Sequence, residues 1–193
     1  MYRTALPKSI SAGLIDTLIM MDHAAFAHGD WIEGHEAALI YTSKPDCLTL
    51  LYKDEAPIGF LSAFSINEAL ANGAISKDTP IYKQLDSQSL SDPACDAVYI
   101  HCILLLPQHR RKDLIYALYK GFKAWLEIRV GGPLPVYSEA VSDEGITALG
   151  RMGFSTVYRY KDDSLLQKTD RNSLIERLEQ ITADKDWLPA VEV

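Results

Sequence analysis

The densest run of residues that could do chemistry is Leu104-Leu105-Leu106-Pro107-Gln108-His109-Arg110-Arg111-Lys112-Asp113-Leu114-Ile115. Here an apolar, strand-like segment is stopped by Pro107, and Leu114, Leu118, Phe122 and Trp125 mark one face of a helix beyond it. Cations are unfavourable at a helix N-terminus, where the macrodipole is already positive, so Arg110, Arg111 and Lys112 at this junction point to a bound anion. Backbone N–H groups at such a start can hold phosphate oxygens while the cations add charge. On composition alone the same cluster reads equally as a solvated basic turn. Asp113 is a competing cap, whose carboxylate could take the amides that a phosphate needs.

Three more titratable groups sit in apolar runs: His101 in the first, Tyr137 and Glu139 in a second from Leu134 to Val141. A histidine in an apolar strand is commonly a hydrogen-bonded core residue, and a tyrosine there commonly packs with its hydroxyl satisfied locally. A carboxylate between Ser138 and Ala140 on an inner strand needs a partner or a task. Cys102 follows His101, but neighbouring strand residues face opposite ways, so the two make no nucleophile and base pair without a bulge. Cys102 is expected to be buried and inert. Asp22, His23, His28, Asp30, Glu33 and His35 match no tight ligand spacing, so no metal is expected.

The elements that must position these residues follow from periodicity. Ser9 to Ala27 has the apolar spacing of an amphipathic helix, followed by a loop and a short helical run from Ala37 to Tyr41. Cys47–Lys53 and Ile58–Ser65, joined by Asp54-Glu55-Ala56-Pro57, read as a hairpin. Residues 67–95 are more polar and read as an excursion with a helical patch over Ile66–Ile75. Ala97–Leu106 is apolar enough for a central strand buried on both faces. A helix, the strand Leu134–Val141, and a helix opening at Ser142 and stopping at Gly153 come next. A strand over Thr156–Tyr160, another through Leu165 and Leu166, and a helix over Ser173–Ile181 capped by Asp170 or Asn172 close the chain.

The chain has 193 residues, 48% of them hydrophobic, and a net charge of −7. That length supports one core without disulfides or metals, and one domain over 1–193 is the economical reading. The acidic balance argues against a broad grip on nucleic acid or anionic membrane and leaves an anion to a local patch. Three cysteines cannot all pair, two lie in apolar runs, and no segment has the apolar core of a signal peptide or membrane span, so a reduced cytoplasmic setting is expected.

The junction at Pro107 with Arg110-Arg111-Lys112-Asp113-Leu114-Ile115, the segment Gly145–Phe154 ending in Gly-Phe, and Asp54-Glu55-Ala56-Pro57-Ile58-Gly59-Phe60 together resemble the GNAT N-acetyltransferase superfamily over about residues 10–160. The resemblance implies a mixed α/β (α+β) fold with a centrally splayed β-sheet flanked by helices. It also implies acyl-CoA, most simply acetyl-CoA, as co-substrate, and direct transfer to a primary amine of a small molecule or peptide. Acyl-CoA would lie where Tyr99–Leu106 and Pro135–Val141 part, with its carbonyl polarised by a backbone N–H near Leu104 to Leu106 and its pyrophosphate near Arg110 to Ile115. Glu139 or His101 would be the base and Tyr137 a proton donor, while Asp30, Trp31 and Glu33 would meet the amine. Residues 67–93 would shape the acceptor site or form an interface, as in a homodimer. The sequence departs from the family at Asp113 and Ile115, which replace the small residues of the phosphate loop, and at Leu149, which stands where the family often has a tyrosine acid. Two alternatives follow: a binding or regulatory module without catalysis, or an enzyme using another acyl donor such as an acyl carrier protein.

Overall fold

The computed structural model describes residues 1–25, 34–86, 90, 95–183, 185 and 187–193. Eight strands form one mixed sheet: β1 (Tyr2–Ala5), β2 (Leu48–Lys53), β3 (Ala56–Ile66), β4 (Ala97–Leu105), β5 (Pro135–Ala140), β6 (Ser155–Arg159), β7 (Leu165–Asp170) and β8 (Val191–Glu192). Their order across the sheet is β6-β7-β5-β4-β3-β2-β1-β8. β4 runs parallel to β5, and β1 parallel to β8; the other neighbours are antiparallel. The hairpin, the buried central strand and the last two strands lie where periodicity predicts them. The strands β1 and β8 at one end of the sheet are too short to show a period, and only pairing with β2 and with each other defines them.

Helices cover both faces. On one lie α1 (Ala12–Ala25), α2 (Gly34–Ser43) and α3 (Glu68–Lys77), packed through Leu18, Met21, Ile40, Tyr41, Ala71 and Ala74 onto Phe60, Phe64, Tyr99 and Leu104. On the other lie α4 (Lys112–Arg129), α5 (Asp143–Arg151) and α6 (Arg171–Thr182), packed through Phe122, Leu126, Leu149 and Leu174 onto Leu61, Ile100 and Val136. Local chemistry sets several ends: Asn67 caps α3, Ser142 caps α5, and Asp170 caps α6 by accepting from the Ser173 amide. Gly153, at φ 89°, supplies the left-handed residue after α5.

Helix α4 carries the basic junction, and its distance from the sheet is set at Gly121. A β-carbon there would stand 2.5 Å from the γ-methyls of both Thr4 and Thr49, which are fully buried on β1 and β2.

The excursion does not leave the sheet but folds back onto β5–β7 through polar ties. Glu68 accepts from Tyr137 Oη at 2.6 Å and from Lys168 Nζ at 3.1 Å, and Asp78 accepts from Tyr158 Oη and Lys161 Nζ, both at 3.0 Å. Lys83 pairs with Asp162 at 3.4 Å. Hydrogen bonds from Tyr137 and Lys168 hold the Glu68 carboxyl below its ordinary value, and those from Lys161 and Tyr158 lower Asp78.

Two expectations follow. Gly121→Val overpacks the α4 contact and costs about 1–3 kcal/mol, read as a lower urea midpoint at unchanged slope. Because their folded pKa values lie below the unfolded ones, Glu68 and Asp78 stabilise the fold above the unfolded values of 4.5 and 3.8, and that contribution disappears as pH falls through the lowered ones. Lys168→Met therefore flattens the acid limb of a stability–pH curve measured by urea unfolding.

Candidate active site

The centre of the sheet is interrupted. β4 and β5 pair only at Val98↔Val136, Tyr99↔Tyr137 and Ile100↔Ser138. Beyond these, β4 continues to Leu105 beside β3, while β5 pairs through Ala140 with β7. The buried Ser138 hydroxyl donates to the Ile100 carbonyl at 3.0 Å, taking the place of the next ladder bond. Leu106 donates its amide to Ile58 O at 2.9 Å, and by the alternation of an antiparallel ladder Leu104 also faces β3. The amides turned toward the opening are those of Ile103 and Leu105. The expectation that Leu104 and Leu106 supply N–H groups there is corrected by this register.

A bulge raises His101 at the same place. Ser62 pairs with Cys102 and Ala63 with Ile100, so His101 is the extra residue on β4. The alternation of faces restarts after it: Tyr99 and Cys102 pack into the same cluster, beneath α1 and α2. The expectation that His101 and Cys102 face opposite ways fails for this reason. His101 Nδ1 lies 3.2 Å from Ser62 Oγ, and its ring packs between Phe64 and Tyr99, with centroids at 5.9 and 6.3 Å. Burial lowers its pKa to about 4, which leaves a neutral imidazole at pH 7.

Cys102 is buried, its thiol donates to Asp22 Oδ1 at 3.8 Å, and desolvation with the nearby carboxylate pushes its pKa well up. Such a thiol is a poor nucleophile. The buried Tyr41 phenol lies near Ser62, and burial raises its pKa as well. Sequence reasoning passed over Ser62 and Tyr41, because neither belongs to a local motif.

Glu139 stands one residue beyond the last β4–β5 pair. Its carboxylate accepts four hydrogen bonds: from Ile81 N at 2.6 Å, Tyr82 N at 3.3 Å, Tyr99 Oη at 2.7 Å and Tyr160 Oη at 2.9 Å. Burial outweighs these donors and raises its pKa. All its oxygen capacity is used, which is the physical reason it departs from the expected free base. Tyr137, whose hydroxyl donates to Glu68, is equally engaged.

The α4 start lies beyond the end of β4. Asp113 turns to Arg111 in a two-point ion pair, with Oδ1 3.1 Å from Nε and Oδ2 2.7 Å from Nη2, rather than capping the helix. Among the described residues no side chain caps α4, which leaves the Lys112 and Asp113 amides without a partner there at its positive end. The Leu114 and Ile115 amides both donate to the Arg111 carbonyl, and the Leu114 side chain is buried. These two residues, expected to hold an anion, are instead part of the helix and its packing. The Arg110 amide is engaged by Pro107 O, but among the described residues its guanidinium has no carboxylate partner and donates weakly to Leu105 O at 3.4 Å. The residues present therefore suit a phosphate through the Arg110 guanidinium and two backbone amides, with Arg111 neutralised by its neighbour. Leu149 is buried in the core beneath α5, with no proton to give. Asp30, Trp31 and Glu33 lie outside the described residues.

No protein-family model and no curated protein matches the sequence. Solved structures do. The loading GNATL domain of CurA from Lyngbya majuscula superposes with a TM-score of 0.67 at 11% identity, over 89% of this chain and 98% of that one. The GphF GNAT-like decarboxylase in complex with isobutyryl-CoA gives 0.62 at 16%, over 89% and 99%. A mosquito arylalkylamine N-acetyltransferase like 5b gives 0.53 at 12%, over 88% and 99%. At such identities the likeness is one of architecture, and it agrees with the sheet order, the central opening and the helix that follows it: the chain has the GNAT fold.

Proposed function

We propose that the chain is an acyl-CoA-dependent acyltransferase that moves a short acyl group, such as acetyl, to a primary amine of a small molecule or peptide in a ternary complex. The observation that carries this reading is the opening between β4 and β5, with His101 on its lip and the uncapped start of α4 at its end. In this reading the pyrophosphate sits at the Lys112 and Asp113 amides beside Arg110, and the thioester oxygen takes a hydrogen bond from Ile103 or Leu105. The amine attacks the thioester carbon as the free base, the C–N bond forms, and the C–S bond breaks to leave a thiolate that takes up a proton. Of the three candidate groups, His101 has a nitrogen, Nε2, with no partner among the described residues. With Nδ1–H donating to Ser62, its Nε2 lone pair receives the amine proton as the adduct forms.

A second reading uses the same opening for decarboxylation, the activity by which one of the fold neighbours is named. The position of Tyr41 favours it. Its phenol stays protonated in the core near Ser62; a phenol donating to Ser62 would leave Ser62 to donate to Nδ1 and so place the imidazole proton on Nε2. His101 is then a hydrogen-bond donor rather than a base. Such a donor stabilises the thioester enolate formed when a carboxylated acyl-CoA loses carbon dioxide: the C–C bond breaks, its electron pair passes to the enolate, and a solvent proton completes the acyl group.

Calorimetry with acetyl-CoA and longer acyl-CoAs tests the common part. Arg110→Ala is expected to weaken binding by about 1–3 kcal/mol, and absence of binding by the parent protein sinks both readings. Thiol release across an amine panel, set against carbon dioxide release from malonyl-CoA, separates the reactions. A module without catalysis binds and does neither. The ¹⁵N shifts of His101 give an independent answer: Nδ1–H supports transfer, whereas Nε2–H that gives way in Tyr41→Phe supports decarboxylation.

A further inference from the structure

We infer that Glu139 is a positioning residue, the latch that holds the turn after α3 across the root of the strand opening, and that this closure limits the acceptors the site admits. The inference rests on the opening being the acyl site, as proposed above. Its geometric part does not.

Four donors from three places in the chain converge on one carboxylate. Tyr99 comes from β4, Tyr160 from the end of β6, and the Ile81 and Tyr82 amides from the first turn of the 3-10 segment Ile81–Gln84. Glu139 itself begins the stretch of β5 that β4 no longer pairs. The backbone of Ile81 and Tyr82 is therefore fixed over the base of the opening, on the face to which the bulge turns His101. The Tyr99 ring lies between them, packed against the imidazole while its hydroxyl reaches the carboxylate.

Two amides at the start of a short turn have no intrahelical acceptor, and burying them unpaired would be costly. The carboxylate meets that requirement. Ile81 is fully buried beside Leu85 and Leu90, so the turn is anchored apolarly on one side and by Glu139 on the other. Further ties from Asp78 to Tyr158 and Lys161, and from Lys83 to Asp162, hold its flanks to the β6–β7 hairpin. An acceptor reaching the His101 lip from the β5–β7 side meets this roof, which favours compact amines over an extended peptide on that side.

Glu139→Gln tests the latch, because its amide presents N–H to a site where four donors already converge. Amide hydrogen exchange at Ile81 and Tyr82 is expected to rise about tenfold or more, with exchange in β3 unchanged. Bulkier amines should gain in kcat/KM relative to small ones, while acyl-CoA affinity and the pH profile stay in place. Tyr160→Phe, which removes one donor and leaves the carboxylate, should give the same pattern in weaker form and serves if Glu139→Gln does not fold. Unchanged exchange at Ile81 and Tyr82 overturns the latch. Faster exchange with an unaltered acceptor range overturns the limit on acceptors, and lost turnover with a shifted pH profile at unchanged exchange makes Glu139 a base instead. If the parent protein turns over no amine, the functional reading fails while the exchange measurement still decides the latch.

Discussion

Two parallel strands that stop pairing after three residue pairs leave backbone groups that the sheet itself does not satisfy. That interruption organises the molecule around it. Ser138 closes the root with a side-chain bond to Ile100, β7 takes over β5 from the other side, and β3 carries β4 onward to the basic turn. What remains is a slot between the strands, with the Ile103 and Leu105 amides on one side and a helix N-terminus at its end. Unpaired amides in a sheet centre are costly unless something occupies them, and this is why the proposed acyl site is placed there.

The bulge at His101 is the second device. By inserting one residue opposite Ser62 and Ala63 it brings His101 and Cys102 to one face and joins the imidazole to Ser62, near Tyr41. Burial then decides the charge of each group: the imidazole is neutral, and the thiol and the phenol stay protonated. A neutral histidine offers one nitrogen as donor and one as acceptor, and the Ser62 hydroxyl beside Nδ1 bears on which nitrogen keeps the proton.

Charge is distributed with the same economy. The cations at the α4 start are not all available, because Arg111 is held by Asp113; that pair in turn keeps Asp113 away from the helix amides. On the other side of the opening, carboxylates serve as anchors: Glu68, Asp78 and Glu139 gather tyrosine hydroxyls, lysines and backbone amides to fix the excursion to β5–β7. The chain's acidic excess is thus partly structural.

The sequence alone carried the local signals. Alternating and continuous apolar runs located β2 to β5 and the long helices, Asp170, Ser142 and Gly153 marked helix ends, and Pro107 with Arg110 to Lys112 marked the strand-to-helix junction. These are legible because each depends on residues a few positions apart. The tertiary structure decided what depends on distant partners. It ended the β4–β5 ladder at Ser138, turned His101 and Cys102 to one face, gave Glu139 four donors from three segments, and paired Asp113 with Arg111 instead of the helix amides. A side chain's identity states which bonds it is able to make; only the neighbours that folding delivers determine which it makes, and with them its protonation state and its task.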